Sequence, residues 1–397
     1  MQRSPINLCA HDECTGCFAC EGICKKQAII RYIDDEGFSY PKIDKEKCIS
    51  CHACENVCPV LNPIEKNALG DVYASWINDL DIRKKSSSGG LFSAFAIQVL
   101  KDGGAVIGAE LQDDNYVRHI LITSIEDLQK LRGSKYVQSN IDGNLYNQTV
   151  EYLKKDKTVL FCGTPCQVAG FKSLFKRYSD HIITIDLVCH GVPSPLFFAK
   201  LLFEIKKKMP NIVSYNFRDT ENWLVCTNVN VNVNVNGTIV KRRLLGKYTF
   251  YQDAFMKGYL HRKNCYNCNY CTKERIGDIT LADFWGIGTK SPFIGDYTNG
   301  CSLLSVNSDT GKKIFETIKH AISYQKRDIQ ESIDGGNEQL ERPSVRPLER
   351  DCFYRDAFSL SYGKLISKYK LELKQDPNNL MFKIRCKIRK LKRNLGL

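Results

Sequence analysis

Two stretches, Thr158-Val159-Leu160-Phe161-Cys162-Gly163-Thr164-Pro165-Cys166-Gln167 and Ile182-Ile183-Thr184-Ile185-Asp186-Leu187-Val188-Cys189-His190-Gly191, decide the fold class of this 397-residue chain. Each opens with a short apolar run of the kind a strand buried on both faces requires, and segments of helical periodicity follow over 168–177 and 195–208. The alternation exists upstream as well: a strand over 72–77, a helix over 91–100 capped by Ser88, and a strand over 105–110 opened by Gly103-Gly104. This order predicts an α/β core with parallel strands. In such a sheet the turns after 162 and 188 open at the carboxyl edge, where open α/β sheets bind ligands, so Cys166 and Cys189 are expected to converge there.

Toward the N-terminus the texture changes. Cys14, Cys17, Cys20 and Cys24 are spaced C-x2-C-x2-C-x3-C, and Cys48, Cys51, Cys54 and Cys58 repeat the spacing, with Pro59 after the last. This is the two-cluster bacterial ferredoxin pattern, in which the fourth cysteine of each run serves the other cluster. Cys14, Cys17, Cys20 and Cys58 are therefore expected to hold one 4Fe-4S cluster, and Cys48, Cys51, Cys54 and Cys24 the other. Zinc also suits tetrahedral thiolates, but zinc modules bring two separated C-x2-C hooks rather than triple hooks. Cys24-Lys25 departs from the usual Cys-Pro, and Cys9 falls outside the pattern as a free thiol.

Composition bounds the remaining classes. Apolar residues make up 43% and charged residues 25%, which suits a folded chain of two or three domains. Nineteen cysteines, an odd number in tandem spacings and without an apolar leader, point to thiolate ligands in a reducing, cytoplasmic setting rather than to disulfides. No apolar run approaches the roughly 20 residues of a membrane-spanning helix. The net charge of +13 counts cysteines as neutral; three four-thiolate clusters at about −2 each would bring it to about +7. Basic residues are spread along the chain except at its end, and no nucleic-acid partner is expected.

A third hook, Cys265-Tyr266-Asn267-Cys268-Asn269-Tyr270-Cys271, precedes a strand over 278–286 and suggests a third cluster in the core. The ordered set Ser87-Ser88-Gly89-Gly90, Arg132-Gly133-Ser134-Lys135-Tyr136, Gly163-Thr164-Pro165-Cys166-Gln167, Cys189-His190-Gly191, Cys265-Tyr266-Asn267-Cys268, Asp278-Ile279 and Asp283-Phe284-Trp285-Gly286 spans about 74–288. It resembles the beta subunit of coenzyme F420 hydrogenases and dehydrogenases, with relatives among ferredoxin-dependent chlorophyll-type reductases. The resemblance implies an oxidoreductase core holding FAD and a 4Fe-4S cluster, here fused to a ferredoxin module. Carried over by position, it implies Cys166, Cys189, Cys265 and Cys268 as core ligands. Cys271 is an extra thiol relative to the family pattern and Cys162 a near neighbour, so the choice among Cys162, Cys166, Cys189 and Cys271 stays open. On its apolar strand, Cys162 reads more simply as a buried inert thiol.

The flavin residues follow from the same matches. Ser87, Ser88, Gly89 and Gly90 precede a helix, whose N-terminus can present N–H groups to a pyrophosphate. Lys135, beside Tyr136, can offset negative charge on a phosphate or a reduced ring. From the turn Gly163-Thr164-Pro165, Thr164 and Gln167 can hydrogen-bond the ring edge. No G-x-G-x-x-G fingerprint is present, so NAD is not expected. His190 is the histidine nominated for proton transfer; a structural hydrogen bond is its other reading.

The expected architecture is α+β / α/β: a two-cluster ferredoxin domain over 1–64, a mixed α/β flavin and iron-sulfur core over 65–332, and a helical basic region over 333–397. Within the core, the Val–Asn alternation before Asn236 reads as one strand of an antiparallel hairpin. The basic amphipathic pattern over 382–397 either docks on the protein's own core or lies peripherally on the inner face of the membrane. Two functions are consistent with these parts. One is an enzyme that passes electrons between clusters and FAD to or from a small-molecule acceptor, coenzyme F420 being the one the family suggests. The other is an electron-transfer subunit without its own substrate, serving a ferredoxin, hydrogenase or dehydrogenase partner.

Overall fold

The computed structural model describes residues 6–218, 223 and 229–372. Its first hairpin pairs β1 (Ile29–Ile33) with β2 (Ser39–Ile43). A large sheet takes β3 (Asp71–Ile77), β4 (Ala105–Leu111), β5 (Val117–Ile122), β6 (Val159–Gly163) and β7 (Ile182–Leu187). A separate small sheet takes β8 (Ile212–Asn216), β9 (Asn230–Val235) and β10 (Thr238–Arg243), after which β11 (Ile279–Asp283), β12 (Ser302–Val306) and β13 (Ile322–Lys326) return to the large one. The order across the large sheet is β13-β3-β12-β11-β7-β6-β4-β5, with β11, β7, β6 and β4 parallel. The apolar runs of β6 and β7 are thus central strands, covered on both faces as their lack of alternation requires.

The alternation before Asn236 is a strand with one dry face. Val231 and Val233 are buried, Asn232 donates to Ser214 Oγ at 2.9 Å, and Asn234 Oδ1 accepts from Gly237 N at 2.8 Å. Asn236 and Gly237, both at positive φ, make the two-residue turn into β10. Only 229–236 of this run lies within the described residues.

The small sheet shares one apolar core with the helices Pro195–Lys208, Phe250–Met256, Arg350–Ser359 and Tyr362–Lys368, and with Phe38 and Tyr40 of the N-terminal module. The described part of the C-terminal region is therefore packed: Phe353, Ala357 and Leu365 are fully buried. The basic helix expected over 382–397 lies outside the described residues.

The N-terminal module shows its repeat in the backbone. Each cysteine of the second run stands 34 positions after its counterpart. The loops match too: Gly16 and Ser50, then Phe18 and His52, all take positive φ, and the latter two cap the short helices Ala19–Ile23 and Ala53–Asn56. Three of these four residues are not glycine, so the loops hold a conformation that costs energy outside a constrained setting.

Candidate functional site

The parallel pairing of β6 and β7, with Gly163 opposite Asp186, sets their following turns side by side at the carboxyl edge. Cys166 stands in the first turn of the helix Pro165–Leu174, and Cys189 just beyond β7. Cys265 feels the charges of Cys189, Cys268 and Cys166, and Cys166 those of Cys268 and Cys189, so the fold brings these four thiols near one another. Burial pushes Cys166 and Cys189 up to about 12 and Cys265 well above the usual thiol range. A hydrogen bond with Cys271, opposed by burial, holds Cys268 down to about 7. Cys271 is therefore a fifth thiol at the edge of the group. Among the described residues no three Cys, His, Asp or Glu side chains meet the spacing of a single metal ion.

This donor set fits a multi-iron cluster. Half-buried thiols without a disulfide partner stay protonated unless a cation is supplied, and cluster iron supplies it. The hook is clamped to the sheet by Asp186, which accepts from Arg275 Nη2 at 3.0 Å, Ile276 N at 3.1 Å, Gly277 N at 2.9 Å and Thr280 Oγ1 at 2.6 Å. Arg275 also donates to Tyr270 O at 3.2 Å and Thr272 O at 3.1 Å, so one buried ion pair fixes the loop carrying Cys268 and Cys271. Cys162 is elsewhere, with Asp186 and Lys135 as its charged neighbours.

In the ferredoxin module, Cys14, Cys17, Cys20 and Cys58 line one cavity with Phe18, and backbone N–H groups of Gly16, Ala19, Val60 and Leu61 point at their sulfurs. Cys9 lines the same cavity and hydrogen-bonds with both Cys14 and Cys58. Cys9 is a free thiol outside the spacing pattern, yet the fold sets it against two thiols of that pattern. Sequence spacing could not show this, because the segment before Cys14 is folded back by tertiary contacts. In the second set, Cys54 feels Cys24, Cys48 is half-buried and Cys51 is exposed.

The two thiol regions meet across the helix Pro165–Leu174. Cys166 and Gly170 are i and i+4 on one face, and a Cβ at Gly170 would stand 2.7 Å from Cys17 Sγ. Tyr270, whose hydroxyl is held protonated by burial and then by Cys166, Cys17, Cys268 and Cys58, stands between the groups. Further contacts dock the module: Tyr146 Oη donates to Cys17 O at 2.7 Å, Gln138 Nε2 to Thr15 O at 3.1 Å and Ser173 Oγ to Val57 O at 2.8 Å. Arg31 reaches Ile141 O.

The flavin candidates divide. Ser87 Oγ accepts from Ser134 N at 2.6 Å, joining the Ser-Gly turn to the segment carrying Lys135 and Tyr136. Gly90, at φ +82, caps the helix Leu91–Lys101, while Gly89 N and Ser88 Oγ are tied to Ser302 Oγ and Cys301 O at 2.9 and 3.1 Å. Lys135 Nζ, half-buried, donates to Lys130 O at 3.2 Å and Arg132 O at 2.7 Å. Desolvation brings it down to about 7, against the opposing charges of Glu110 and Cys162. Among the described residues Lys135 has no carboxylate within 4.0 Å, and a lysine held by carbonyls suits an anionic ligand.

Gln167 has another task than the ring edge. Its Oε1 accepts from Thr164 N at 3.1 Å and Thr164 Oγ1 at 3.0 Å, and its Nε2 donates to Ser139 O at 3.0 Å. The buried amide is consumed in capping the helix that begins at Pro165. Thr164 Oγ1 also lies 3.3 Å from Cys166 Sγ, which turns this residue toward the thiol group.

His190 is half-buried, and burial lowers its pKa against Asp283 and Glu338, so the neutral ring, a proton acceptor, prevails at pH 7. Phe255 links it to Tyr136: its ring centroid lies 6.4 Å from that of His190, 5.3 Å from Tyr136 and 5.1 Å from His261. His261, Arg262, Phe255 and Tyr270 were not singled out from the sequence. The spacing of His261 and Arg262 just ahead of the Cys265 hook was the available signal.

Comparison with known proteins places these parts. Residues 13–62 match a 4Fe-4S dicluster domain. Residues 72–145 match the N-terminal part, and residues 156–332 the C-terminal part, of the coenzyme F420 hydrogenase/dehydrogenase beta subunit. A curated relative, one of the subunits of the F(420)H(2) dehydrogenase of Methanosarcina mazei, is 25% identical over 226 residues, 54% of this chain and 64% of the relative. The match thus spans less than two thirds of that protein. A solved chain of the F420-reducing [NiFe] hydrogenase complex from Methanosarcina barkeri aligns with 16% identity and a TM-score of 0.40, over 76% of this chain and 93% of that one. Among the described residues no helix is long and apolar enough to cross a membrane.

Proposed function

The chain belongs to the family of coenzyme F420 hydrogenase/dehydrogenase beta subunits and carries a 4Fe-4S dicluster domain, and from that premise we propose that it is an iron-sulfur flavoprotein oxidoreductase. It exchanges electrons between three 4Fe-4S clusters and FAD, and so with an organic acceptor of which coenzyme F420 is the first candidate. The observation that carries this reading is the single helix whose one face bears Cys166 and abuts Cys17 Sγ. It makes the ferredoxin module a continuation of the core rather than a tethered neighbour.

Clusters carry single electrons and a flavin converts them to two-electron chemistry, so the two together supply what a hydride acceptor needs. The chain's own residues do the rest. Cys14, Cys17, Cys20 and Cys58 hold the inner ferredoxin cluster, Cys24, Cys48, Cys51 and Cys54 the outer one, and Cys166, Cys189, Cys265 and Cys268 the core one. Ser87 to Gly90, Gly163 and Thr164 line the flavin side, Pro165 and Gln167 shape its turn, and Lys135 with Tyr136 neutralises and covers the anion. His190 accepts or returns the proton that accompanies the acceptor.

Anaerobic preparation tests this directly. About 12 irons and one FAD per chain are expected, with reduction of coenzyme F420 or another acceptor by the dithionite-reduced protein. Fewer than about eight irons after reconstitution would end the three-cluster reading. That the Methanosarcina mazei relative is named as one part of a larger dehydrogenase favours a second reading, an electron-transfer subunit without its own acceptor. Acceptor reduction seen only with a co-purified partner would select it.

A further inference from the structure

Four buried arginines have carboxylate partners: Arg275 meets Asp186, Arg218 meets Asp283, Arg327 meets Glu331 and Arg350 meets Glu36; a fifth, Arg83, is held by the carbonyls of Gly300 and Asp296 away from both thiol groups. Arg262 is 0% exposed, and among the described residues no carboxylate lies within 4.0 Å of it. Its Nε donates to Cys14 O at 2.8 Å, Nη1 to Gln138 Oε1 at 3.0 Å, and Nη1 and Nη2 to Ser39 O at 3.2 Å. The guanidinium lies 3.8 Å from the Tyr40 ring centroid and 5.4 Å from that of Phe38. Every contact is neutral. A buried cation satisfied only by neutral dipoles is costly unless an anion stands close by.

The groups on either side that would become anionic on binding iron are the two sets of thiols. The Arg262 backbone is built into the core hook, since Cys265 N donates to Arg262 O at 2.9 Å, while its side chain reaches across to the ferredoxin loop at Cys14. Arg262 thus touches one ligand residue of each set, Cys14 with its side chain and Cys265 with its backbone.

We infer that Arg262 is a positioning residue whose carboxylate-free charge, set between the inner ferredoxin thiols and the core thiols, raises the reduction potentials of both clusters. The inference rests on the three-cluster reading above. A reduced cluster is one charge more negative than an oxidised one, so a fixed neighbouring cation stabilises the reduced form, and net charge is among the levers that set such potentials. The outer set, with Cys51 exposed to solvent, is screened from this charge.

The test is a potentiometric titration of the full chain followed by electron paramagnetic resonance, beginning with the wild type. A wild-type protein without a core cluster overturns the three-cluster reading and this inference with it. In fully loaded Arg262→Gln, two of the three potentials should fall enough to change the reduced-to-oxidised ratio at least tenfold at fixed potential, about 59 mV for a one-electron couple. The outer cluster should stay in place. Unchanged potentials in the loaded variant overturn the role of Arg262 while leaving the cluster assignment standing. Arg262→Lys keeps the charge and should hold both potentials near wild type; a fall equal to that of the glutamine variant would show a purely structural role and overturn the inference. Should Arg262→Gln not load, Gln138→Glu keeps the arginine and places a carboxylate on its Nη1. The same two potentials should then fall, and their constancy would overturn the inference.

Discussion

The two halves of the N-terminal repeat share their cysteine spacing and their positive-φ loop positions, yet they live in different surroundings. The first half is pressed against the α/β core, with Cys14 and Cys17 buried, Cys17 Sγ against Gly170 and carbonyls of Cys14, Thr15 and Cys17 accepting from Arg262, Gln138 and Tyr146. The second half presents Cys51 and Ile49 to solvent. Loops alike in cysteine spacing and backbone conformation thus sit in different surroundings through docking, and on the proposed reading that docking is what makes one site inner and the other outer.

The largest break in this comparison is expected from paired ligand substitutions. Cys17→Ser and Cys51→Ser should each lose about four irons, but only Cys17→Ser should isolate the core from electrons entering at the outer cluster. Rapid-mixing reduction of the flavin by a small ferredoxin reads the difference. Equal loss in both variants would erase the distinction between inner and outer sites.

Gly170→Ala strikes the seam itself. In a helix interior this change ordinarily stabilises by about 1 kcal/mol. Here the new methyl group meets Cys17 Sγ at 2.7 Å, so a destabilisation of about 1–3 kcal/mol is expected. Thermal unfolding should show it, together with a perturbed inner-cluster signal and an unchanged outer one.

Lys135 extends the comparison to the proposed flavin side. The half-buried amine falls to about 7, whereas an unfolded lysine keeps its proton to near 10.5. Between these pH values the unfolded chain holds the extra proton, so on this residue's account stability rises with pH across that window. An anionic ligand prefers the charged amine, so FAD binding to flavin-free protein should weaken as pH rises through about 7. Lys135→Ala should bind about tenfold more weakly below that pH and lose the dependence, as expected for one partly exposed charged hydrogen bond. Equilibrium fluorescence titrations at pH 6 and 8 check it.

The smallest effect is expected at Cys9, which touches Cys14 and Cys58 without belonging to the spacing pattern. Cys9→Ala should keep the full iron count and change only the line shape or potential of the inner cluster. Loss of about four irons would make Cys9 a ligand.

Much of this was legible in the residues themselves. Thiolate spacing is dictated locally by what a short loop can wrap around a cubane, so the eight ferredoxin cysteines could be paired into sets without a structure. The apolar runs of β6 and β7 announced parallel, doubly covered strands, and the Val–Asn alternation announced a strand of an antiparallel hairpin. Convergence of Cys166 and Cys189 could be expected because a parallel sheet brings its carboxyl ends together, while their grouping with the third hook is what the family resemblance implied. Other features came only with the tertiary structure: Cys9 folded onto the inner set, Gln167 Nε2 spent on Ser139 O, and Arg262 set between two thiol groups with no carboxylate within 4.0 Å among the described residues. The last two join positions 28 and 248 residues apart. Local propensity and spacing carry no information about such contacts, because the energy that selects them is burial and charge compensation across an interface.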